Sequence, residues 1–97
     1  MKLNQIMKQA QALQEKFKKQ LEEMDVEASA GGGMVSVQMN GNKTVLAVKI
    51  DPEVVDKDDV EMLQDLVTAA VNEASRKVDE AAQQQLGSMA GNLPGLF

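Results

Sequence analysis

The spacing of the apolar residues changes twice along this chain, and that change constrains the fold more than any other feature. From residue 3 to residue 24 apolar side chains recur at steps of three and four, the period of an amphipathic helix. Between residues 26 and 50 they largely alternate with polar ones, the period of a half-buried strand. From residue 63 the helical period returns. The pattern predicts an α+β protein in the order α-β-β-β-α, with a small antiparallel sheet flanked by two long helices.

The first predicted helix has an apolar stripe on one side and lysines on the other. Placing residues at about 100° intervals puts these apolar residues in one stripe: Leu3, Ile6, Met7, Ala10, Leu13, Phe17, Leu21 and Met24. Lys8, Lys16 and Lys19 fall on roughly the opposite side. A helix of roughly 22 residues extends about 33 Å, more than two or three strands of about 20 Å can cover. We therefore expect part of the stripe to stay exposed and predict a homodimer, with Leu3, Ile6, Leu13, Phe17 and Leu21 as the dimer and core stripe.

The middle of the chain predicts a hairpin with a third strand in front of it. Val26–Ala30 alternates weakly, and the three glycines at 31–33 break the pattern where φ is unconstrained. Val35–Met39 alternates clearly, and Asn40-Gly41-Asn42 follows as a turn of residues that tolerate positive φ. Residues 44–50 form the return strand. Its alternation places Leu46, Val48 and Ile50 on one face, and Val45 and Ala47 on the other.

Capping residues predict where the remaining elements begin and end. Asp51 followed by Pro52 is typical of a capped helical turn. Asp58-Asp59, with Glu61 three residues after Asp58, indicates the start of the second long helix. Gly87 predicts the end of that helix. We therefore predict a single domain over residues 1–87 and a flexible C-terminal tail over residues 88–97.

The residue types that are missing exclude most kinds of chemistry. The chain has no Cys and no His, which removes thiolate nucleophiles, imidazole bases and Cys-type zinc sites. The acidic run at 51–65 lacks the Gly and Glu that a calcium loop would need after Asp56. The glycines at 31–33 are not followed by the Lys of a phosphate-binding loop. We predict no catalytic activity, no cofactor and no metal. Apolar runs are too short to span a bilayer, so a soluble, cytoplasmic protein without a membrane partner is expected.

The charge is unevenly distributed. The formal net charge is −5, which on its own disfavours nucleic acid as a partner. Residues 1–20, however, contain five lysines and one glutamate, whereas residues 51–65 contain seven acidic residues and one lysine. Such a chain can present a basic face on an acidic body. With only two aromatic residues there is no platform for stacking single-stranded bases, so any DNA binding is expected to use phosphates rather than bases.

Several segments together resemble one known family. They are residues 7–11 (MKQAQ), 26–35 (VEASAGGGMV), 40–41 (NG), 50–52 (IDP), 62–67 (MLQDLV), 70–74 (AVNEA) and 93–97 (LPGLF). In order and separation they are similar to the YbaB/EbfC family of bacterial nucleoid-associated proteins, over nearly the whole chain. The resemblance implies an α-β-β-β-α protein that forms a tight homodimer with projecting helices. It also implies binding to double-stranded DNA on the nucleoid rather than catalysis.

The resemblance attributes DNA binding to the helical parts of the fold. In this sequence those parts carry Lys8, Lys16 and Lys19 on the first helix and Arg76 on the second. Two copies would make roughly six to eight phosphate contacts, and affinity would fall by about 10³ or more between about 50 and 200 mM salt. The alternative is a dimeric protein-interaction adaptor whose apolar tail, residues 93–97, binds a protein partner. Deleting that tail would separate the two hypotheses.

Overall fold

The structure, a computed structural model, describes residues 2–91. The elements in chain order are α1 (Lys2–Glu23), β1 (Val26–Ala30), β2 (Val35–Met39), β3 (Val45–Ile50), a 3₁₀ turn (Pro52–Val54) and α2 (Val60–Gly91). The predicted order α-β-β-β-α is therefore confirmed.

The three strands form an antiparallel sheet in the order β1-β2-β3, so neighbours in the sheet are neighbours in the chain. The connection between β1 and β2 has the backbone conformation that its three glycines allow. All three glycines between β1 and β2 have positive φ, at 63°, 69° and 94°, a region that glycine enters without the Cβ penalty. The glycine run is therefore a bent connection between strands, as predicted.

β3 contains one extra residue, and this changes which side chains share a face. Gln38 pairs with Ala47, whereas Met39 pairs with Val45, so the register shifts at Leu46. Because paired residues of an antiparallel sheet lie on the same face, Val45 joins the face of Met39 and Val48. The predicted placement of Val45 opposite Val48 is wrong, because a strict period of two does not hold across a bulge.

The core lies between one face of the sheet and α2. Four buried residues come from alternate positions of β1 and β2, three come from α2 and one from the 3₁₀ turn: Ala28, Val35, Val37, Met39, Ala70, Ala74, Val78 and Val54. Ala70 and Ala74 are fully buried, and their small side chains let α2 lie close to the strands. The α2 residues of this core follow the helical period predicted from residue 63, and Leu63, Leu66, Val67 and Val71 pack against them.

Both ends of α2 differ from the prediction. The Asp59 carboxylate accepts a hydrogen bond from the Met62 backbone N–H at 3.2 Å, so Asp59 caps the helix, whereas Asp56 accepts from the Asp58 N–H. The cap is thus the second residue of the predicted pair Asp58-Asp59, and the predicted capping box led by Asp58 is wrong. The stop predicted at Gly87 is also wrong, because α2 continues to Gly91. A helical glycine costs only about 1 kcal/mol, and Gly87 has nothing near its absent Cβ. The remaining tail positions, 92–97, lie outside the described residues.

α1 has no buried side chain. Leu3, Ile6 and Leu13 are 67%, 60% and 54% exposed, and only the C-terminal part of the stripe, with Phe17 and Leu21, is half-buried. The chain measures 68 × 24 × 16 Å along its principal axes, an elongated shape. Part of the α1 stripe is thus exposed, as its length predicted. Within residues 2–91, no helix is both long enough and apolar enough to cross a membrane.

Candidate nucleic-acid interface

The lysine face of α1 is formed by Lys8, Lys16 and Lys19, all of which are exposed. α1 runs without interruption through Glu23 and carries neither Gly nor Pro, so the three side chains project from one continuous helix. At 1.5 Å per residue, Lys8 and Lys19 lie about 16 Å apart along the helix axis. The structure therefore presents these three predicted residues on one side of α1, with Lys16 at the flank, where it lines a pocket with Leu13 and Phe17 of the apolar stripe.

Outside α1, Lys43, Arg76 and Lys77 have internal partners, whereas Lys49, Lys57 and the lysines of α1 have none among residues 2–91. In the described part of the chain the ion pairs join Lys43 to Asp79 at 3.0 Å, and Arg76 to Glu73 and Glu80. The Lys77 ammonium donates to the Glu27 carbonyl at 2.8 Å. None of these contacts involves a lysine of α1. An ammonium group without an internal partner is available to a ligand anion.

The three lysines differ in their surroundings. Glu15, Glu22 and Glu23 stand three or four residues from Lys19, the separation at which helical side chains meet. Lys8 and Lys16 have no carboxylate at those separations. Lys8 and Lys16 are therefore the two lysines of this face whose charge no carboxylate at those separations offsets.

Arg76 lies on α2, and its charge is compensated. Its guanidinium donates to both Glu73 and Glu80. The hydrogen bond from Arg76 holds the pKa of Glu73 below its ordinary value, and desolvation offsets this only in part. The same pairing, chiefly the hydrogen bond to Glu73, raises the pKa of Arg76. The structure does not place Arg76 on the lysine face. Its spacing of three and four residues from two glutamates is a sequence signal of this pairing.

A second exposed apolar surface, which the sequence did not reveal, lies on β3. Val48 and Ile50 pair with Val37 and Val35 and so share the face of the core strands. α2 packs over β1 and β2, and Val45, Val48 and Ile50 are 43%, 45% and 39% exposed. Beside the buried strands these side chains form an apolar patch that the described part of the chain leaves partly uncovered. Recognising this would have required knowing which strands α2 covers.

The N-terminal end of α2 borders a cleft of about 480 Å³ lined by Asp59, Glu61, Met62, Asp65, Leu66 and Ala69. Its three carboxylates make it repulsive to phosphate. Among residues 2–91 no group of three or more acidic side chains is arranged to hold a metal ion. The negative charge of this cleft therefore disfavours the approach of a nucleic acid at the N-terminal end of α2.

Comparisons with known proteins identify relatives of this chain. The sequence model of the YbaB/EbfC DNA-binding family matches residues 1–93. A nucleoid-associated protein of Koribacter versatilis is 56% identical over 95 residues, covering 96% of this chain and 94% of the relative. Another, from Alkaliphilus metalliredigens, is 52% identical over 100 residues, covering 98% and 88%. The crystal structure of an uncharacterized Helicobacter pylori protein has the same fold, with a TM-score of 0.76 at 23% identity over 91% of this chain and 92% of that one.

Proposed function

This chain belongs to the YbaB/EbfC DNA-binding family, and on that basis we propose that it binds double-stranded DNA as a homodimer, mainly through phosphate contacts of Lys8, Lys16 and Lys19. Its relatives carry the names of nucleoid-associated proteins, not of enzymes. We propose the nucleoid as its place of action.

This proposal rests on the exposure of the three α1 lysines and on their lack of ion-pair partners among residues 2–91. Lys8, Lys16 and Lys19 are exposed on a helix with no buried side chain, and none of them belongs to an ion pair among residues 2–91. Arg76 would have to leave Glu73 and Glu80 before it could reach a phosphate. We therefore assign Arg76 a smaller part than the sequence suggested.

Contacts with phosphates, rather than with base edges, fit the side chains that α1 offers. Lysine is a flexible point charge without the planar fork that pairs with a guanine edge. Phe17 is the one aromatic residue of α1, and it is half-buried on the apolar side. Three lysines in each protomer give six phosphate contacts in a dimer, and this electrostatic term depends little on base sequence.

The exposed apolar side chains support the homodimer. α1 leaves Leu3, Ile6 and Leu13 more than half exposed, and β3 leaves Val48 and Ile50 uncovered. A second copy brings the same two surfaces, as a two-fold interface requires. Burying them would leave the lysine face, on the opposite side of α1, open to DNA.

A dimer with two lysine-bearing helices also suits a role in nucleoid organisation. Two copies of α1 can hold one duplex at two places or two duplexes at once. Contacts that depend little on sequence would distribute such a protein widely along the DNA. We propose that its effect on gene expression follows from this occupancy rather than from recognition of one site.

The test is fluorescence anisotropy of a labelled duplex of about 30 base pairs, titrated with purified protein between about 50 and 200 mM salt. The variant Lys8→Gln with Lys16→Gln removes four of the six proposed contacts of a dimer. The matched control, Lys49→Gln with Lys57→Gln, makes the same charge change at exposed positions of the body. We expect a log–log salt slope near −5 for the unmodified protein, reduced by about 3 to 4 units in the α1 variant.

Equal losses of affinity in the α1 variant and in the control would show that only net charge matters, and would remove the role of the lysine face. A loss confined to one duplex sequence would require base recognition instead of phosphate contact. Absence of binding at the lowest salt would refute the proposed function itself.

A further inference from the structure

α1 is held to the body almost entirely at one end. None of its side chains is buried, and its N-terminal apolar residues are exposed. Only residues 17, 20 and 21 are half-buried, and Met24, just beyond the helix, packs against the core. Packing along the length of α1 therefore does not set its direction in the single chain. The contacts of its last turn must do so.

The closest of these contacts joins Leu21 to Gly41. The Gly41 backbone N–H donates to the Leu21 carbonyl at 2.7 Å. The Leu21 carbonyl also accepts from the Met24 N–H, at 3.3 Å, so the Gly41 N–H is the closer of its two donors. It links α1 directly to the turn between β2 and β3, residues 40–44.

Gly41 is there because of this approach and not because of its φ angle. Positive φ occurs at residues 31–33 and at Lys43 but not at Gly41. A Cβ at position 41 would lie 2.7 Å from the Leu21 Cα and carbonyl oxygen, and 2.8 Å from its Cδ2. Two of these three atoms are backbone. A side chain at position 41 can therefore be accommodated only if the end of α1 or the turn itself moves.

The β2–β3 turn is itself firmly held. The buried Asn40 side chain accepts from the N–H groups of Asn42 and Thr44 at 2.9 and 3.1 Å. Backbone hydrogen bonds close the turn from Lys43 to Asn40 and from Asn40 to Thr44. On its other side, Lys43 pairs with Asp79 of α2 at 3.0 Å. The turn thus contacts both long helices.

We propose that Gly41 is a positioning residue for DNA binding: its contact with Leu21 fixes the direction of α1 and so places the lysine face. This role rests on the proposed function, because it concerns where α1 carries Lys8 and Lys16. Lys8 lies about 20 Å along the helix from Leu21. A tilt of about 10° at Leu21 would move Lys8 by about 3 Å, enough to take its ammonium group out of reach of a phosphate.

The experiment measures the direction of α1 and the DNA affinity in the same variants. The chain has no cysteine, so Gln11→Cys on α1 and Gln64→Cys on α2, both exposed, provide two specific spin-label sites. Mixing with excess unlabelled protein leaves one labelled protomer in each dimer. The pulsed-resonance distance between the labels then reports the direction of α1. The test variant is Gly41→Ala, and the control is Asn42→Ala, an exposed position in the same turn.

We expect Gly41→Ala to shift the distance distribution. We also expect it to weaken duplex binding at about 0.1 M salt by about tenfold for each phosphate that the lysine face no longer reaches. Asn42→Ala should change neither, because the backbone N–H of Asn42 makes its hydrogen bond. An unchanged distance in Gly41→Ala would overturn the proposal, and so would a shifted distance with unchanged affinity.

If the unmodified protein binds no duplex at low salt, the proposed function fails, while the label distance still decides whether Gly41 directs α1. If Gly41→Ala does not fold, amide hydrogen exchange in the unmodified protein is the second measurement. A protected Gly41 N–H supports the contact with Leu21. Exchange as fast as in an unstructured peptide would overturn it.

Discussion

The Asn40 side chain is buried at the junction of the sheet and α1, and its carboxamide oxygen satisfies two backbone amides. We expect Asn40→Ala to destabilise the fold by about 1–3 kcal/mol, because the N–H groups of Asn42 and Thr44 would lose their acceptor. Asn40→Asp keeps an acceptor oxygen in the same place and serves as the control. Urea unfolding of both variants measures the difference. An Asn40→Ala variant as stable as the control would mean that water replaces the side chain.

Some features of single residues could not be predicted from the sequence. The turn at residues 40–42 was predictable because Asn and Gly are typical turn residues, but the predicted reason, positive φ, applies to Lys43 instead. Gly41 is required by its distance from Leu21, which is 20 residues earlier in the chain. Hydrophobic periodicity contains no information about such an approach. The face of Val45 was mispredicted for a related reason, since only the pairing partner reveals an extra residue in a strand.

On α2, two glutamates compensate the charge of Arg76. The pKa of Glu73 is lowered by the hydrogen bond from Arg76. The carboxylate therefore stays charged even somewhat below its ordinary pKa, and the pair is lost only as the pH falls through the lowered value. At neutral pH Arg76 is therefore compensated. We expect Glu73→Gln with Glu80→Gln to strengthen duplex binding and to steepen the salt slope by up to about 2 units for the two copies of Arg76 in a dimer.

The control for this change is Glu53→Gln with Glu61→Gln, which alters the net charge equally at exposed positions away from Arg76. Anisotropy titrations over the same salt series compare the two. An identical gain in both variants would trace the effect to net charge and leave Arg76 without a direct contact. No gain in either would mean that the released Arg76 faces away from the DNA.

The whole elements were more predictable than their ends. Amphipathic periods of 3.6 and 2 reflect which face is buried, so the order of helices and strands could be predicted from the sequence. Helix ends depend on individual hydrogen bonds, such as that from Met62 to Asp59. The stop at Gly87 failed because a glycine in a long helix is tolerated when nothing else ends it. The candidate site was predictable on α1, where one face carries the lysines, and not on β3, whose exposure depends on the placement of α2.

For the whole molecule, the exposed apolar surfaces of α1 and β3 predict its oligomeric state. Val48→Glu places a carboxylate in the proposed interface, and burial of an unpaired charge costs several kcal/mol. We expect the dimer dissociation constant to rise by about 10² or more. Val60→Glu is the control, because Val60 is similarly exposed, at 49% against 45%, but lies at the start of α2 rather than on the sheet.

Sedimentation equilibrium of both variants measures this change, and circular dichroism confirms that each still folds. A Val48→Glu protein that sediments as the unmodified protein does would exclude β3 from the interface. Anisotropy of the same samples then shows whether DNA affinity follows the dimer, since a monomer would keep only three of the six proposed lysine contacts.

Because α1 has no buried side chain, the stability of this fold and its proposed affinity for DNA depend on different residues. Stability resides in the sheet and α2, whereas the proposed charge contacts lie on a face that contributes nothing to the core. Exposed substitutions of this kind usually change stability by less than about 0.5 kcal/mol. Binding sites more often compromise the scaffold that holds them. Substitutions of the α1 lysines are therefore expected to change the affinity for a polyanion and to leave the stability of the fold nearly the same. The affinity can then evolve without a loss of stability.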